Sequence, residues 1–185
     1  MGVKMSKISD DVCCDLKEFL DGYSKLVILG IGNDIRGDDG LGPYIINRLC
    51  DLKESGDLKD IDSIGDIDID NIYLINAGSV PENFTGSIKK INPSHILIID
   101  ASLMNMKPGD INIVSKENIV NLSVSTHSMS LKYLIKYLES CEGVNNDFKI
   151  LFVGIEPKSM DLSFDLSDVV KETCDDLINV LIELF

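Results

Sequence analysis

Apolar positions along this chain switch between helical spacing and unbroken short runs, and each switch marks an element. Val12, Leu16, Phe19, Leu20 and Tyr23 recur every three or four residues, which predicts a helix from Ser9 to Asp21 with Gly22 as its stop. Leu26 to Ile31 is a continuous apolar run and predicts a first strand. Pro43 opens a helix with Ile45, Ile46, Leu49 and Leu52 on one face. Lys53 to Asn71 is rich in Asp, Gly and Ser and predicts a long acidic loop. Ile72 to Ile75 is a second strand, ending in Asn76-Ala77-Gly78-Ser79, and a short helix covers Glu82 to Ile91. His95 to Asp100 is a third strand, apolar as befits a strand covered on both faces.

Asp110 to Ser115 is a fourth strand, after the Lys107-Pro108-Gly109-Asp110 turn. Met129 to Glu139 is a helix with Leu131, Leu134, Ile135 and Leu138 inward. Lys149 to Ile155 is a fifth strand, and Ser167 caps a last helix with Val170, Cys174, Leu177, Ile178 and Leu181 facing the core. Strands alternating with helices predict an α/β fold, a three-layer sandwich whose twisted, largely parallel sheet of about five strands is flanked by helices. One domain is expected over residues 1–185, with an extra amino-terminal helix in 1–24 and the acidic loop in 53–71.

Bulk composition narrows the function classes. Among 185 residues, 44% are hydrophobic, enough for a sizeable core. The formal net charge of -14 argues against nucleic-acid binding through a basic surface. Five cysteines (Cys13, Cys14, Cys50, Cys141, Cys174) form no CxxC pair, so a disulfide framework or thiolate zinc site is not expected. A reducing, cytoplasmic location fits them. Met1 to Asp11 lacks the long apolar run of a secretory signal, and no segment has the length of a transmembrane helix.

Candidate chemistry gathers at predicted strand ends. In open α/β sheets, ligands sit at the carboxyl ends of strands. The first strand leads into a glycine-rich loop with Asp38 and Asp39, the third ends in Asp100, and Thr126-His127 precedes the helix near Met129. Two carboxylates and an imidazole suit a divalent transition metal such as nickel or zinc, and three protein ligands leave positions open. Singly, each residue has a structural reading: Asp38 and Asp39 as helix-start acids, Asp100 as a turn cap, His127 as a loop histidine. Joint placement on one rim favours function. His95 starts a strand at the opposite end and reads as structural.

Other motifs fail. Gly30-x-Gly32 resembles a dinucleotide fingerprint, but Ile35 occupies the third glycine position. Asp60-x-Asp62…Gly65 resembles a calcium loop, but Ile64 and Asn71 break it. Cys50 and Cys174 lack a nearby histidine and read as core.

The stretch Gly30-Ile31-Gly32-Asn33-Asp34-Ile35-Arg36-Gly37-Asp38-Asp39-Gly40-Leu41-Gly42-Pro43 resembles the opening signature of the hydrogenase maturation proteases. Val80-Pro81-Glu82-Asn83, Ile98-Ile99-Asp100-Ala101, Lys107-Pro108-Gly109 and Thr126-His127-Ser128-Met129 resemble the family in the expected order, most closely the branch serving hydrogenase 3. The resemblance runs from about Leu26 to the end. It implies an endopeptidase that removes the carboxyl-terminal extension of a nickel-loaded nickel–iron (NiFe) hydrogenase large-subunit precursor. By motif it implies Asp39, Asp100 and His127 as nickel contacts, with nickel supplied by the precursor and no tightly held cofactor. The metal would orient the scissile region, polarise its carbonyl or activate water. Asp38 would be a general base or a positioning group, and Asp39 is carried with it as a catalytic candidate. Gly30, Gly32, Asn33 and Gly40 would shape the loop, or their amides would bind an oxyanion. A monomer without membrane insertion is expected. Two competing readings are a hydrolase with its own zinc or manganese, and a non-enzymatic nickel-binding assembly module.

Overall fold

The computed structural model describes residues 8–55, 71–119, 127–140 and 148–185. Thr126, Cys141, the calcium-like Asp60 to Gly65 run and most of the acidic loop lie outside the described residues.

Five strands form one sheet in the order β2-β1-β3-β5-β4. They are β1 (Leu26–Ile31), β2 (Ile72–Gly78), β3 (His95–Ala101), β4 (Ile111–Ser115) and β5 (Lys149–Ile155). The first three and β5 are parallel, and β4 pairs antiparallel along the outer edge of β5. Every residue of β1 and β3 is buried, which is what their unbroken apolar sequences require of central parallel strands.

Helices cover both faces. On one lie α1 (Asp10–Leu20), α2 (Leu41–Ser55) and α6 (Asp168–Leu184). Their Leu16, Phe19, Ile45, Leu49, Leu177 and Leu181 pack on Leu26, Ile28, Leu97, Ile99, Val153 and Ile155. The other face carries α3 (Thr85–Ile91) and α5 (Ser128–Ser140), whose Ile88, Leu131, Leu134 and Leu138 pack on Val27, Leu29, Ile96, Ile98 and Phe152. A four-residue helix, α4 (Lys116–Ile119), is too short to have left a period in the sequence. No described helix is long and apolar enough to cross a membrane.

Beyond one-residue shifts at other element ends, three differences from the sequence reading have a physical cause. Helix α2 begins at Leu41, so Pro43 sits inside its first turn, where a missing N–H leaves no helical bond unmade. Strand β2 runs on to Gly78 because its pairing with β1 continues, past a register shift, to Ile31. The helix expected over Glu82 to Ile91 divides into a 3-10 turn at Pro81–Phe84 and α3.

The β1–α2 junction is where sequence most tightly constrains the fold. A Cβ on Gly30 would strike the Gly42 carbonyl, and one on Gly42 would strike Ile31, so the helix start can lie directly on the strand only with glycine at both positions. Chain direction adds the functional consequence. From β1 the chain goes through α2 on one face to β2. Its other neighbour, β3, lies beside β5 and under α5 on the opposite face. The carboxyl ends of β1 and β3 therefore flank a topological switch point.

Candidate active site at the switch point

A 3-10 turn at Gly37–Gly40 follows β1 and carries both acidic residues. Its approach is held by Gly32, at φ 145°, a backbone region side chains disfavour; a Cβ there would also collide with the Asp39 carbonyl. The Gly32 amide donates to the Gly78 carbonyl at 3.0 Å, and the Asn33 amide donates to the Asp39 carbonyl at 3.2 Å. The Ile35 amide donates to Asn33 Oδ1 at 3.2 Å, and Gly40 packs against the Asp34 backbone. These residues shape the loop. With the Gly32 and Asn33 amides already bonded inside it, an oxyanion role for them gains no support from the geometry.

Asp38 and Asp39 diverge. The Asp38 side chain is completely buried. Its Oδ2 accepts from the Lys158 amide at 2.8 Å, the Ser159 amide at 3.0 Å and the Ser167 hydroxyl at 2.9 Å. Its Oδ1 accepts from the Ser167 amide at 2.7 Å. The carboxylate thus fastens the segment between β5 and α6 and lies on the α6 side. Burial pushes the Cys174 thiol on α6 well up, and the Asp175 and Asp38 charges add to that shift. Ser167 does stand at the N-cap position of α6, yet its hydroxyl serves Asp38 and makes no capping bond. The sequence reading of Ser167 as a side-chain cap is corrected accordingly.

Asp39 is also buried, 5% exposed, and its Oδ1 has no hydrogen-bond partner. A buried carboxylate oxygen without a donor is costly, so it marks a place where a ligand belongs. Asp100 ends β3. Strand alternation puts it on the α5 face with Ile96 and Ile98, and Gly154 lies opposite it on β5. Its Oδ1 is 3.2 Å from Nδ1 of His127, the residue preceding α5. A carboxylate accepts, so the Nδ1 proton is donated to it, and Nε2 carries the lone pair of the neutral ring.

His127 binds its proton more tightly than an ordinary histidine. The hydrogen bond His127 donates to Asp100 is the largest cause; the Asp100, Asp39 and Glu82 charges add to it, and burial opposes it. The structure thus brings Asp39, Asp100 and His127 together electrostatically, and leaves Asp38 on the other side of the turn.

Two features escaped the sequence reading. Glu82, in the 3-10 turn after β2, adds a carboxylate to the His127 surroundings. Its place after a strand end, inside Pro81-Glu82-Asn83, was the available signal. The segment from Lys158 to Ser167 packs along the loop that carries Asp38, and nothing periodic in it announced that contact. There the Gly37 amide donates to Ser163 O at 2.8 Å, the Ser163 amide to Ile35 O at 3.1 Å and Arg36 Nε to Met160 O at 3.3 Å.

In kind, two carboxylates and an imidazole suit nickel, and the donorless Asp39 oxygen fits a cation. In arrangement, Asp100 and His127 bond each other. No group of three His, Cys, Asp or Glu side chains among the described residues is disposed to hold a metal ion.

Comparison with known proteins points one way. The HycI family model, described as hydrogenase maturation protease, matches residues 52–184. Asp100 and His127 lie within that span, and Asp38 and Asp39 precede it. A Methanocaldococcus jannaschii protein assigned as a hydrogenase maturation protease is 41% identical over 169 residues, covering 91% of this chain and 93% of its own. The hydrogenase 3 maturation protease of Escherichia coli K12 is 31% identical over 147 residues, covering 79% and 81%. The crystal structure of the NiFe hydrogenase maturation protease HycI from Thermococcus kodakarensis KOD1 matches with a TM-score of 0.73 at 26% identity. It covers 92% of this chain and 97% of that one.

Proposed function

We propose that this chain, which belongs to the hydrogenase maturation protease family, is an endopeptidase that cuts the carboxyl-terminal extension from a nickel-loaded NiFe-hydrogenase large-subunit precursor. The precursor's nickel serves as its recognition signal. The observation that carries this reading is the buried, donorless Asp39 oxygen beside the Asp100–His127 pair.

Asp39, Asp100 and His127 would hold the precursor's nickel, which brings Lewis acidity to the scissile region. The chain's own residues do the positioning. Asp100 fixes the His127 ring through Nδ1, so the neutral ring presents Nε2 as its donor. Asp39 contributes a negative charge that no protein donor neutralises at Oδ1. Asp38 holds the Lys158–Ser167 wall in place through four hydrogen bonds, and between general base and positioning group that geometry supports the second.

Incubating a NiFe-hydrogenase large-subunit precursor with the protein, with and without nickel in the precursor, tests the proposal by intact mass. The expected result is loss of a short carboxyl-terminal peptide from the nickel-loaded form alone. Equal loss from the nickel-free form would remove the recognition role, and no loss from a cognate loaded precursor would remove the protease role.

A further inference from the structure

Helix α5 leaves the candidate site with an unusual outer face. Leu131, Leu134, Ile135 and Leu138 are buried against the sheet. On the other side Met129, Tyr133 and Tyr137 recur every four residues and are 72%, 63% and 47% exposed. Residues four apart on a helix share one face, so the three form a stripe spanning about 12 Å from Met129 to Tyr137. A packed amphipathic helix normally turns polar residues outward; this one sets two tyrosines and a methionine in water.

Charge on that face departs from the rest of the molecule. Lys132 and Lys136 flank the stripe and are exposed. The helix has one carboxylate, Glu139 near its end, and that is paired with Lys116 at 3.1 Å. A chain of net charge -14 thus carries an apolar, positively charged ridge beginning two residues after His127. An acidic partner is repelled by the molecule at large and attracted here, which orients its approach. Tyrosine and methionine are enriched at protein interfaces, and tyrosine among the residues that dominate binding energy.

We propose that the Met129–Tyr133–Tyr137 ridge of α5, with Lys132 and Lys136, docks the folded body of the hydrogenase precursor through an acid-rimmed apolar surface and so delivers its chain end to the site. A helix face suits a folded body rather than an extended tail, because its backbone groups are already bonded within the helix and cannot pair with a strand. This rests on the protease reading above.

The experiment compares wild-type protein with Tyr133→Ser/Tyr137→Ser, with Lys132→Glu/Lys136→Glu, and with a charge-matched control, Lys89→Glu/Lys90→Glu. The control pair is exposed at the far end of α3, near the start of β1. KM and kcat are read on nickel-loaded precursor at low and high salt, with sedimentation of each protein. Both ridge variants should raise KM by about 10-fold or more with kcat little changed. The control should match wild type, and Lys132→Glu/Lys136→Glu should reduce the salt dependence of KM. Wild-type KM in both ridge variants, alongside active wild-type enzyme, overturns the ridge and leaves the protease reading standing. An inactive wild type on a cognate loaded precursor removes both. A wild-type dimer that Tyr133→Ser/Tyr137→Ser dissociates, with KM unchanged, assigns the stripe to a second copy and overturns the proposal.

Discussion

The two histidines of this chain titrate in opposite directions for reasons visible in their surroundings. His95 lies at the amino edge of the sheet, packed on the Phe19 ring at a centroid distance of 5.2 Å. Burial, and secondarily the Lys149 charge, hold its proton affinity below the usual histidine value. His127 is held above it, chiefly by its Asp100 hydrogen bond. The stability consequences follow from the sign of each shift. His95 contributes stability that is complete above the ordinary pKa of 6.5 and is lost as pH falls toward its lowered folded value. His127 contributes stability that is complete below 6.5 and is lost as pH rises through its raised folded value. An NMR titration of the two ring resonances should place one midpoint on each side of 6.5, with Asp100→Asn moving the His127 midpoint down. A His127 midpoint that Asp100→Asn leaves in place would break the assigned pairing. Because a ring must be neutral to ligate, the same shift makes protons competitors of nickel at this site.

The elements show how an acidic pair divides its labour. The 3-10 turn after β1 sends Asp39 toward α5 and Asp38 toward α6, so one residue step separates a candidate ligand from a structural clamp. Replacing Asp38 with Ala would strand three amides and a hydroxyl around a buried void. The expected loss is about 3 kcal/mol in urea unfolding, with Asp38→Asn recovering part of it. A loss below ~1 kcal/mol would show that the clamp contributes little.

This division was only partly legible in the sequence. β1, β3 and β5 stood out because central parallel strands are uniformly apolar, and the α1, α5 and α6 core faces because their spacing is helical. Asp38 and Ser167 are 129 residues apart, so local pattern could identify Ser167 as a helix-start residue and say nothing of the partner that takes its hydroxyl. Glu82 was read as a helix-start residue for the same reason, since its effect on His127 arises between residues distant in sequence. The trio Asp39, Asp100 and His127 could be brought together on paper because all three sit at element ends, and parallel strands send such ends to one edge.

Across the whole molecule, the doubly covered sheet places the candidate residues at the junction of its two faces. Asp39 arrives from the strand whose helix crosses one face, and His127 from the helix covering the other. That geometry suits a reader of a metal brought by a partner, since no three His, Cys, Asp or Glu side chains among the described residues close into a cage. The central claim is that the candidate residues respond to the partner's nickel, and the affinity difference between nickel-loaded and nickel-free precursor tests it most directly, measured with wild type and with Asp39→Ala. The account predicts that wild type prefers the loaded precursor by at least about 10-fold, a coupling of ~1.4 kcal/mol. Asp39→Ala should lose that preference while keeping its fold and its affinity for nickel-free precursor. An undiminished preference in Asp39→Ala would contradict it.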